Sequence, residues 1–183
     1  MTPFFLLQMA GAPGAGKSSL ARVVGQARSA VVLDMDVIKS AVLEAGAAWS
    51  LAGPAAYEVL FALAADLLAQ GRSVILDSPS HYPQIPARGM EIAQAHGARY
   101  RFIECVCADE VTLEQRLLAR TPQRSQMRGL GQPAPDAGDA MPAAKRLGTH
   151  LWETCRPPGD YLTVDTSAPF ENALHTALCY LDR

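Results

Sequence analysis

The sequence has no excess of positive charge and very little lysine. Its 16 Lys and Arg residues stand against 18 Asp and Glu residues, which gives a net charge of −2. Without a basic surface the chain has no electrostatic basis for wrapping nucleic acid or lying on an anionic membrane. Any anion-binding site must therefore be local. The three lysines, Lys17, Lys39 and Lys145, are the first places to look for it.

The N-terminus lacks a membrane-spanning run, and the cysteines lack a metal-binding pattern. The apolar run near residue 5 is too short to cross a bilayer and no basic residue precedes it, so we expect a cytoplasmic protein. The four cysteines, Cys105, Cys107, Cys155 and Cys179, include one CxC pair but no second pair at zinc spacing. A chain of this length needs no disulfides, so buried free thiols are predicted.

Short apolar runs alternate with stretches of helical periodicity. The predicted strands are Phe4–Ala10, Ala30–Leu33, Ser73–Leu76, Arg101–Val106 and Tyr161–Val164. The predicted helices are Lys17–Ala27, Val37–Ala45, Ala55–Ala69, one ending near His96, Glu110–Ala119 and Phe170–Leu181, with Gly46–Pro54 as a connector. Strands separated by helices require crossovers, so the pattern predicts an α/β fold with a parallel sheet and helices on both faces.

The length and composition favour one domain with a real core. The 183 residues are 49% apolar and 19% charged, and a typical domain has about 150 residues, so we expect residues 1–183 to form a single domain. Residues 121–148 interrupt the alternation with four Pro and four Gly. We expect them to form a mobile lid carrying one short helix around Ala137–Leu147, with too little apolar periodicity to make core.

The segment GAPGAGKS, Gly11–Ser18, directly follows the first predicted strand and matches the GxxxxGK[ST] phosphate-loop pattern. Its glycines let the backbone turn amides toward phosphate oxygens, Lys17 reaches the terminal phosphates and Ser18 holds Mg²⁺. The phosphates also meet a helix N-terminus, which favours negative charge. The candidate nucleotide-binding residues of this segment are Gly11, Ala12, Pro13, Gly14, Ala15, Gly16, Lys17, Ser18 and Ser19.

Acidic residues follow the second and third predicted strands. Asp77 stands at the carboxyl end of a strand, where α/β sheets bind ligands, and is a candidate Mg²⁺ ligand; the alternative is a turn-opening aspartate. Asp36 is a candidate general base for an attacking hydroxyl, and the alternative is that it caps the next helix. Lys39, one helical turn later, can neutralise a bound substrate. Asp34 is a candidate substrate contact.

Four arginines recur at intervals of four residues toward the proposed lid: Arg116, Arg120, Arg124 and Arg128. They form either a solvated charged face or a set of phosphate-binding side chains, of which Arg120 is the strongest candidate. Only Glu110 and Glu114 offer carboxylates at helical spacing, which favours the second interpretation. The connectors after the second and third strands contain Trp49, Tyr57, His81, Tyr82 and Arg88, and Arg88 is the best candidate substrate contact among them.

In chain order, the segments GAPGAGKS, LDMDVIK, VILD, LEQRLLAR and YLTVDTS resemble those of small P-loop kinases of the AAA type. This group is related to polynucleotide kinase and, more distantly, to zeta toxins, chloramphenicol phosphotransferase, gluconate kinase and adenylate kinase. The resemblance implies a three-layer P-loop NTPase fold with a five-stranded parallel sheet in the order 2-3-1-4-5. It also implies transfer of the γ-phosphate of ATP, with Mg²⁺ as cofactor, to a substrate hydroxyl.

The resemblance also implies roles for particular residues. Asp77 matches the Walker B position, and Asp36 matches the acidic residue near the accepting hydroxyl. Arg116 matches an arginine that lies against adenine, Arg120 one that reaches phosphate during lid closure, and Asp165 the segment bordering the base. Lys39 stands where many relatives have arginine, which weakens any inference about an anionic substrate.

Other nucleotide-binding functions fit less well. A switch GTPase is excluded because its NKxD motif needs asparagine, and the single asparagine, Asn172, is followed by Ala173. The remaining alternatives are an ATP-binding sensor without catalysis and a kinase of nucleic-acid ends, which the acidic charge balance disfavours. Asp36 and Asp77 favour an enzyme. We expect ATP and a small hydroxyl compound as partners, no nucleic acid or membrane, and a monomer or homodimer.

Overall fold

Five parallel strands form one sheet at the centre of the computed structural model, which describes residues 4–137 and 153–183. The strands are β1 (Phe5–Ala10), β2 (Val31–Asp34), β3 (Val74–Asp77), β4 (Arg99–Val106) and β5 (Leu162–Asp165). They pair in the order β2-β3-β1-β4-β5, and every pairing is parallel. The topology of the P-loop NTPase fold is therefore confirmed.

Helices cover both faces of this sheet. The helices of the described ranges are α1 (Lys17–Arg28), α2 (Met35–Glu44), α3 (Trp49–Ala69), α4 (Gln84–Ala95), α5 (Glu110–Ala119) and α6 (Phe170–Leu181). Side chains alternate along β1, so Leu7 packs with α1, α5 and α6 on one face, whereas Leu6 packs with α3 and α4 on the other. Both faces of β1 are buried, which explains its continuous apolar sequence.

Two helices begin earlier than their sequences predict. The predicted start of α2 at Val37 is wrong, because Asp34 caps the helix by accepting hydrogen bonds from the amides of Asp36 (2.9 Å) and Val37 (3.4 Å). The predicted connector Gly46–Pro54 is wrong from Trp49 onward, because α3 begins there and contains Pro54. Ala52 in this first part of α3 is fully buried, and the helix continues through Gly53 and Pro54 despite their weak helix propensity.

The residues after α5 fold back onto the protein. The part from 121 to 137 has no helix or strand, yet Ser125, Met127 and Ala134 are at most 8% exposed. The expectation that this segment contributes nothing to the interior is therefore wrong for its first half. The predicted helix around Ala137–Leu147 lies outside the described residues beyond its first position, as does Lys145. The lid itself stays a prediction.

Among the described helices, α3 is the one long and apolar enough to cross a membrane by length and composition, with a mean hydropathy of 1.5 over its best window. Core helices have the same properties. One side of α3, with Ala56, Leu60, Ala64 and Leu68, is buried against the sheet.

The four cysteines are all free, as predicted. Their predicted burial is wrong except at Cys105, since Cys107 and Cys155 are half-buried and Cys179 is exposed.

Candidate active site

A cleft of about 1590 Å³ opens at the carboxyl ends of the strands. The phosphate loop and α5 line one part of it, and α2, α3 and α4 line another. A pocket for a single small ligand typically has a volume of about 300 to 1000 Å³. The cleft is therefore large enough for a nucleotide and a second small molecule together.

The turn from β1 to α1 depends on glycine at three positions. The φ angles of Gly11, Gly14 and Gly16 are +126°, +81° and +79°, in the region that only glycine enters without strain. A Cβ on Gly11 would lie 2.1 Å from the carbonyl oxygen of Cys105 in the neighbouring strand. Gly16 is the N-cap of α1 and no side chain caps this helix. The first amides of α1 therefore carry no side-chain cap, which is the arrangement that a phosphate-binding helix start requires.

The predicted magnesium ligands meet beside this loop. Asp77 ends β3 and is 4% exposed, and its Oδ2 has no hydrogen-bond partner within the described ranges. Burial raises the pKa of Asp77 to about 6, although the positive charge of Lys17 and the hydroxyl of Ser18 act in the opposite direction. The Lys17 ammonium donates hydrogen bonds to the carbonyl oxygens of Gly11 and Ala12, both at 2.9 Å.

These residues fit a magnesium ion bound together with phosphates. Mg²⁺ prefers oxygen ligands and commonly takes one or two protein oxygens with substrate phosphates and waters. The Asp77 carboxylate and the Ser18 hydroxyl supply such oxygens, and the orphaned Oδ2 of Asp77 is a ready acceptor for a cation. The described residues contain no cluster of three or more His, Cys, Asp and Glu that could hold a metal ion without phosphates.

Asp36 is held by the segment after α5. Its Oδ1 accepts a hydrogen bond from the Ser125 hydroxyl at 2.7 Å, and its Oδ2 accepts one from the Gln126 amide at 2.9 Å. The backbone amide of Ser125 donates in turn to the hydroxyl of Ser40 on α2 at 3.0 Å, a bond buried from solvent. Sequence reasoning missed Ser125 and Gln126, because no periodicity or motif marks them and they lie far from Asp36 in the chain.

Asp34 lies outside the lining of the cleft, although it was predicted as a substrate contact. Its carboxylate caps α2 and also lies 3.4 Å from the guanidinium of Arg22. It does not line the cleft, whereas Asp36 does. The capping role considered for Asp36 therefore belongs to Asp34, and the candidate substrate contact at Asp34 is corrected to a structural one.

Arg116 connects α5 to the phosphate loop. Its guanidinium donates to the carbonyl (2.7 Å) and hydroxyl (3.1 Å) oxygens of Thr166 and, at 3.4 Å, to the carbonyl of Gly14. The Thr166 hydroxyl also lies 3.1 Å from the carbonyl oxygen of Ala15. These contacts fix the side of the loop where the resemblance places adenine. Sequence reasoning missed Thr166, although it stands inside the YLTVDTS segment.

The Asp165 carboxylate forms hydrogen bonds within its own turn. Its carboxylate accepts hydrogen bonds from the amide (2.8 Å) and hydroxyl (2.6 Å) of Ser167, which closes a turn. Its two neighbours Thr166 and Ala168 line the cleft, and Asp165 does not. The loop after β5 thus borders the cleft as expected, but through residues other than Asp165.

Arg120 lies near Asp36, at the end of α5. One guanidinium nitrogen donates to the carbonyl of Met127 at 2.9 Å, whereas the buried Nε has no partner among the described residues. Burial lowers the pKa of Arg120, and the charges of Asp36 and Asp34 oppose that shift. Arg124, by contrast, forms a two-point ion pair with Asp136 at 2.6 and 3.1 Å. Arg120 lines the cleft, whereas Arg124 does not.

Aromatic side chains dominate the far part of the cleft. The Lys39 ammonium lies 3.5 Å from the centre of the Trp49 ring, and the Tyr57 hydroxyl donates to the carbonyl of Pro79 at 2.6 Å. Arg88 lines the same part, but it is 58% exposed and its guanidinium lies 3.6 Å from the Glu91 carboxylate. Arg88 is thus less available to a substrate than its sequence position suggests. His81 and Tyr82 also line this part of the cleft.

Three buried polar atoms without a partner line this one cleft. They are Asp77 Oδ2, Ser78 Oγ and Arg120 Nε, out of six such side-chain atoms in the described ranges. A buried polar atom without a hydrogen bond costs free energy, so such atoms are rare in a folded protein. Because three of these six atoms belong to residues that line the cleft, the cleft is suited to bind a polar ligand.

Comparison with solved structures places this fold among kinases. A provisionally assigned kinase from Chloroflexus aurantiacus is 22% identical with a TM-score of 0.72, over 98% of this chain and 99% of that chain. The APS kinase of Mycobacterium tuberculosis, solved with AMPPNP and APS, is 18% identical with a TM-score of 0.66 over 100% of both chains. A gluconokinase from Sinorhizobium meliloti is 18% identical with a TM-score of 0.61, over 98% and 92%.

Comparison of sequences gives the family. No curated protein sequence matches this chain significantly. The family model described as "AAA domain" matches residues 6–131, which include β1 except its first residue, the phosphate loop, Asp36, Asp77 and α5. The chain therefore belongs to this AAA domain family and has the fold of the small P-loop kinases.

Proposed function

We propose that the protein transfers the γ-phosphate of ATP to a hydroxyl group of a small molecule. The observation that carries the proposal is the place of Asp36, a carboxylate in the same cleft as the phosphate loop but on a different wall. A protein that only senses ATP needs no carboxylate for a second substrate. The volume of the cleft and the kinase fold support the same function.

In this proposal the Asp36 carboxylate accepts the proton of the attacking hydroxyl. The oxygen of that hydroxyl forms a bond to the γ-phosphorus, the bond from this phosphorus to the β–γ bridging oxygen breaks, and ADP leaves. A carboxylate has about four lone-pair sites, so Asp36 can accept this proton while Ser125 and Gln126 keep it oriented.

The cationic residues stabilise the transferring phosphoryl group. Lys17 turns from the loop carbonyls to the phosphates. Arg120, whose Nε lacks a partner among the described residues, contacts the phosphoryl group during transfer. Ser18 and Asp77 would hold Mg²⁺, which would neutralise negative charge on the phosphates when bound. The 121–148 segment closes over the site and excludes water.

The direct test is ADP release by purified protein with ATP and Mg²⁺ across a library of hydroxyl compounds. We expect at least one acceptor to raise the rate above the background without acceptor, and Asp36→Asn to abolish that increase. Asp34→Asn is the matched control, since asparagine also caps helices and the position lies outside the cleft lining. Tight ATP binding with background release for every acceptor would favour the sensor instead.

A further inference from the structure

We infer that the acceptor has a flat apolar body, such as that of an aromatic or fused-ring alcohol, and carries no anionic group. This inference rests on the proposed function and specifies its acceptor. It comes from the wall of the cleft formed by α2, α3 and α4, which differs in chemistry from the phosphate end.

The deepest part of this wall is apolar. Met35, Phe61 and Ile85 all line the cleft and are 4%, 7% and 5% exposed. The ring of Tyr57 is stacked on Phe61, with 6.0 Å between the ring centres and 25° between the planes. A flat apolar surface of this kind gains free energy from stacking and from burial of an apolar ligand.

Tyr57 lines the cleft with a hydroxyl that is already hydrogen-bonded. The hydroxyl already donates to the Pro79 carbonyl at 2.6 Å. Burial raises the pKa of Tyr57, and the negative charge of Asp36 adds to this effect, so the phenol stays protonated. The side chain therefore contributes an apolar ring to the wall, because its hydroxyl already has a hydrogen-bond acceptor.

The described lining of this part offers no concentration of positive charge for an anion. Arg88 lies 3.6 Å from Glu91, and the Lys39 ammonium lies against the face of Trp49. Asp36 and Glu58 add negative charge to the same lining. Lys17 and Arg116 line the phosphate end, whereas Arg120 lies near Asp36 and Arg22 near Asp34. The lining from α2, α3 and α4 carries the carboxylates Asp36, Glu58 and Glu91 against Lys39 and Arg88, so an anionic acceptor meets no net positive charge on these three helices.

The Ser78 hydroxyl is a buried polar group on this wall that can orient the acceptor. Ser78 follows Asp77, is 1% exposed, lines the cleft and lies beside the Tyr57 hydroxyl. A few polar groups on an apolar wall are the usual means of orienting a small ligand. A polyol would leave several hydroxyls without partners against Phe61 and Ile85, and that loss disfavours it.

The test compares three acceptor sets of similar size: aryl and fused-ring alcohols, uncharged sugars, and hydroxy acids or sulfated alcohols. ADP release with ATP and Mg²⁺ gives kcat/KM for each. A Trp152→Phe variant leaves Trp49 as the sole tryptophan of the chain, so its fluorescence reports acceptor binding without turnover. We expect the highest kcat/KM and the strongest fluorescence change with an aryl or fused-ring alcohol.

The two readouts separate the inference from the proposed function. Turnover that is best with a sugar or an anionic acceptor would overturn the inference and support the kinase. Saturable fluorescence change with an aryl alcohol but no ADP release from any acceptor would support the apolar pocket and overturn the kinase. No change in either readout with any compound would overturn both.

Variants of Tyr57 and Ser78 test the wall itself. Tyr57→Leu should raise KM for the aryl acceptor about tenfold, and Tyr57→Phe should raise it less because the ring remains. Ser78→Ala should lower kcat/KM about tenfold. Val59→Ala, on the same helix but outside the cleft lining, should change neither constant. An unchanged KM in Tyr57→Leu, with ATP affinity intact as evidence of folding, would overturn the inference.

Discussion

The hydroxyl of Ser125 donates a 2.7 Å hydrogen bond to Oδ1 of Asp36, across 89 residues of sequence. The bond joins the segment after α5 to the start of α2. The neighbouring Gln126 amide occupies the other carboxylate oxygen, and the Ser125 amide is anchored on Ser40. The orientation of the proposed base is thus set by the same segment that is proposed to close over the site.

Ser125→Ala should lower kcat about tenfold and leave the Kd for ATP within twofold, because a positioning hydrogen bond to the proposed base is lost. The acceptor KM should stay within about twofold, because the hydrogen bond orients the proposed base and does not hold the substrate. Ser125→Thr, which keeps the hydroxyl, should restore kcat. A kcat of Ser125→Ala equal to that of the wild type would contradict the positioning role.

Lys17→Ala should weaken ATP binding at least about a hundredfold, since the ammonium supplies charge at the terminal phosphates. Isothermal titration calorimetry with ATP and Mg²⁺ measures this directly. Arg72→Gln serves as a charge-matched control, because Arg72 is exposed and lies outside the cleft. Comparable affinity in Lys17→Ala and Arg72→Gln would argue against a phosphate-binding role for the loop.

Asp77 should make the stability of the nucleotide-free protein depend on pH in an unusual direction. Its pKa is about 6 in the folded protein against an ordinary value of 3.8, so the folded state holds this proton more tightly than the unfolded state. The contribution of Asp77 to the free energy of unfolding therefore falls as pH rises from about 4 to 6, and stays low above that.

Asp77→Asn should remove this dependence and raise the free energy of unfolding at pH 7 to 8 by up to about 2 kcal/mol. Urea unfolding at pH 4.5 and at pH 7.5 measures both effects. The same substitution should weaken ATP binding mainly when Mg²⁺ is present, because a carboxylate oxygen is lost from the proposed metal site. A variant less stable than the wild type at pH 7.5 would contradict the burial argument.

Arg116→Gln should raise KM for ATP about tenfold, because its guanidinium fixes Thr166 and the phosphate loop on the nucleotide side. Arg124→Gln is the matched control eight residues later in the sequence, where the arginine forms an exposed ion pair with Asp136. It should leave KM unchanged, since exposed ion pairs contribute little. Equal effects of the two substitutions would show that the arginine series acts only through surface charge.

Local patterns were sufficient for most of the sheet and the phosphate loop. Apolar runs identified the five strands within two residues at each end, and the limits of α5 and α6 were predicted correctly. The capping role of Asp34 and the start of α3 were not predicted. A cap depends on which of two nearby carboxylates reaches the helix amides, and local helix propensity argues against a helix through Gly53 and Pro54.

The sequence by itself determined the proposed phosphate loop, because a glycine-rich turn with Lys17 and Ser18 between a buried strand and a helix is a local arrangement encoded in consecutive residues. Only the tertiary structure decided which groups complete the cleft. Ser125 and Gln126 reach Asp36, Thr166 reaches Arg116, and Tyr57 and Phe61 form the apolar wall. Such contacts join residues far apart in the chain, and they arise from the packing of whole elements, which no local pattern records.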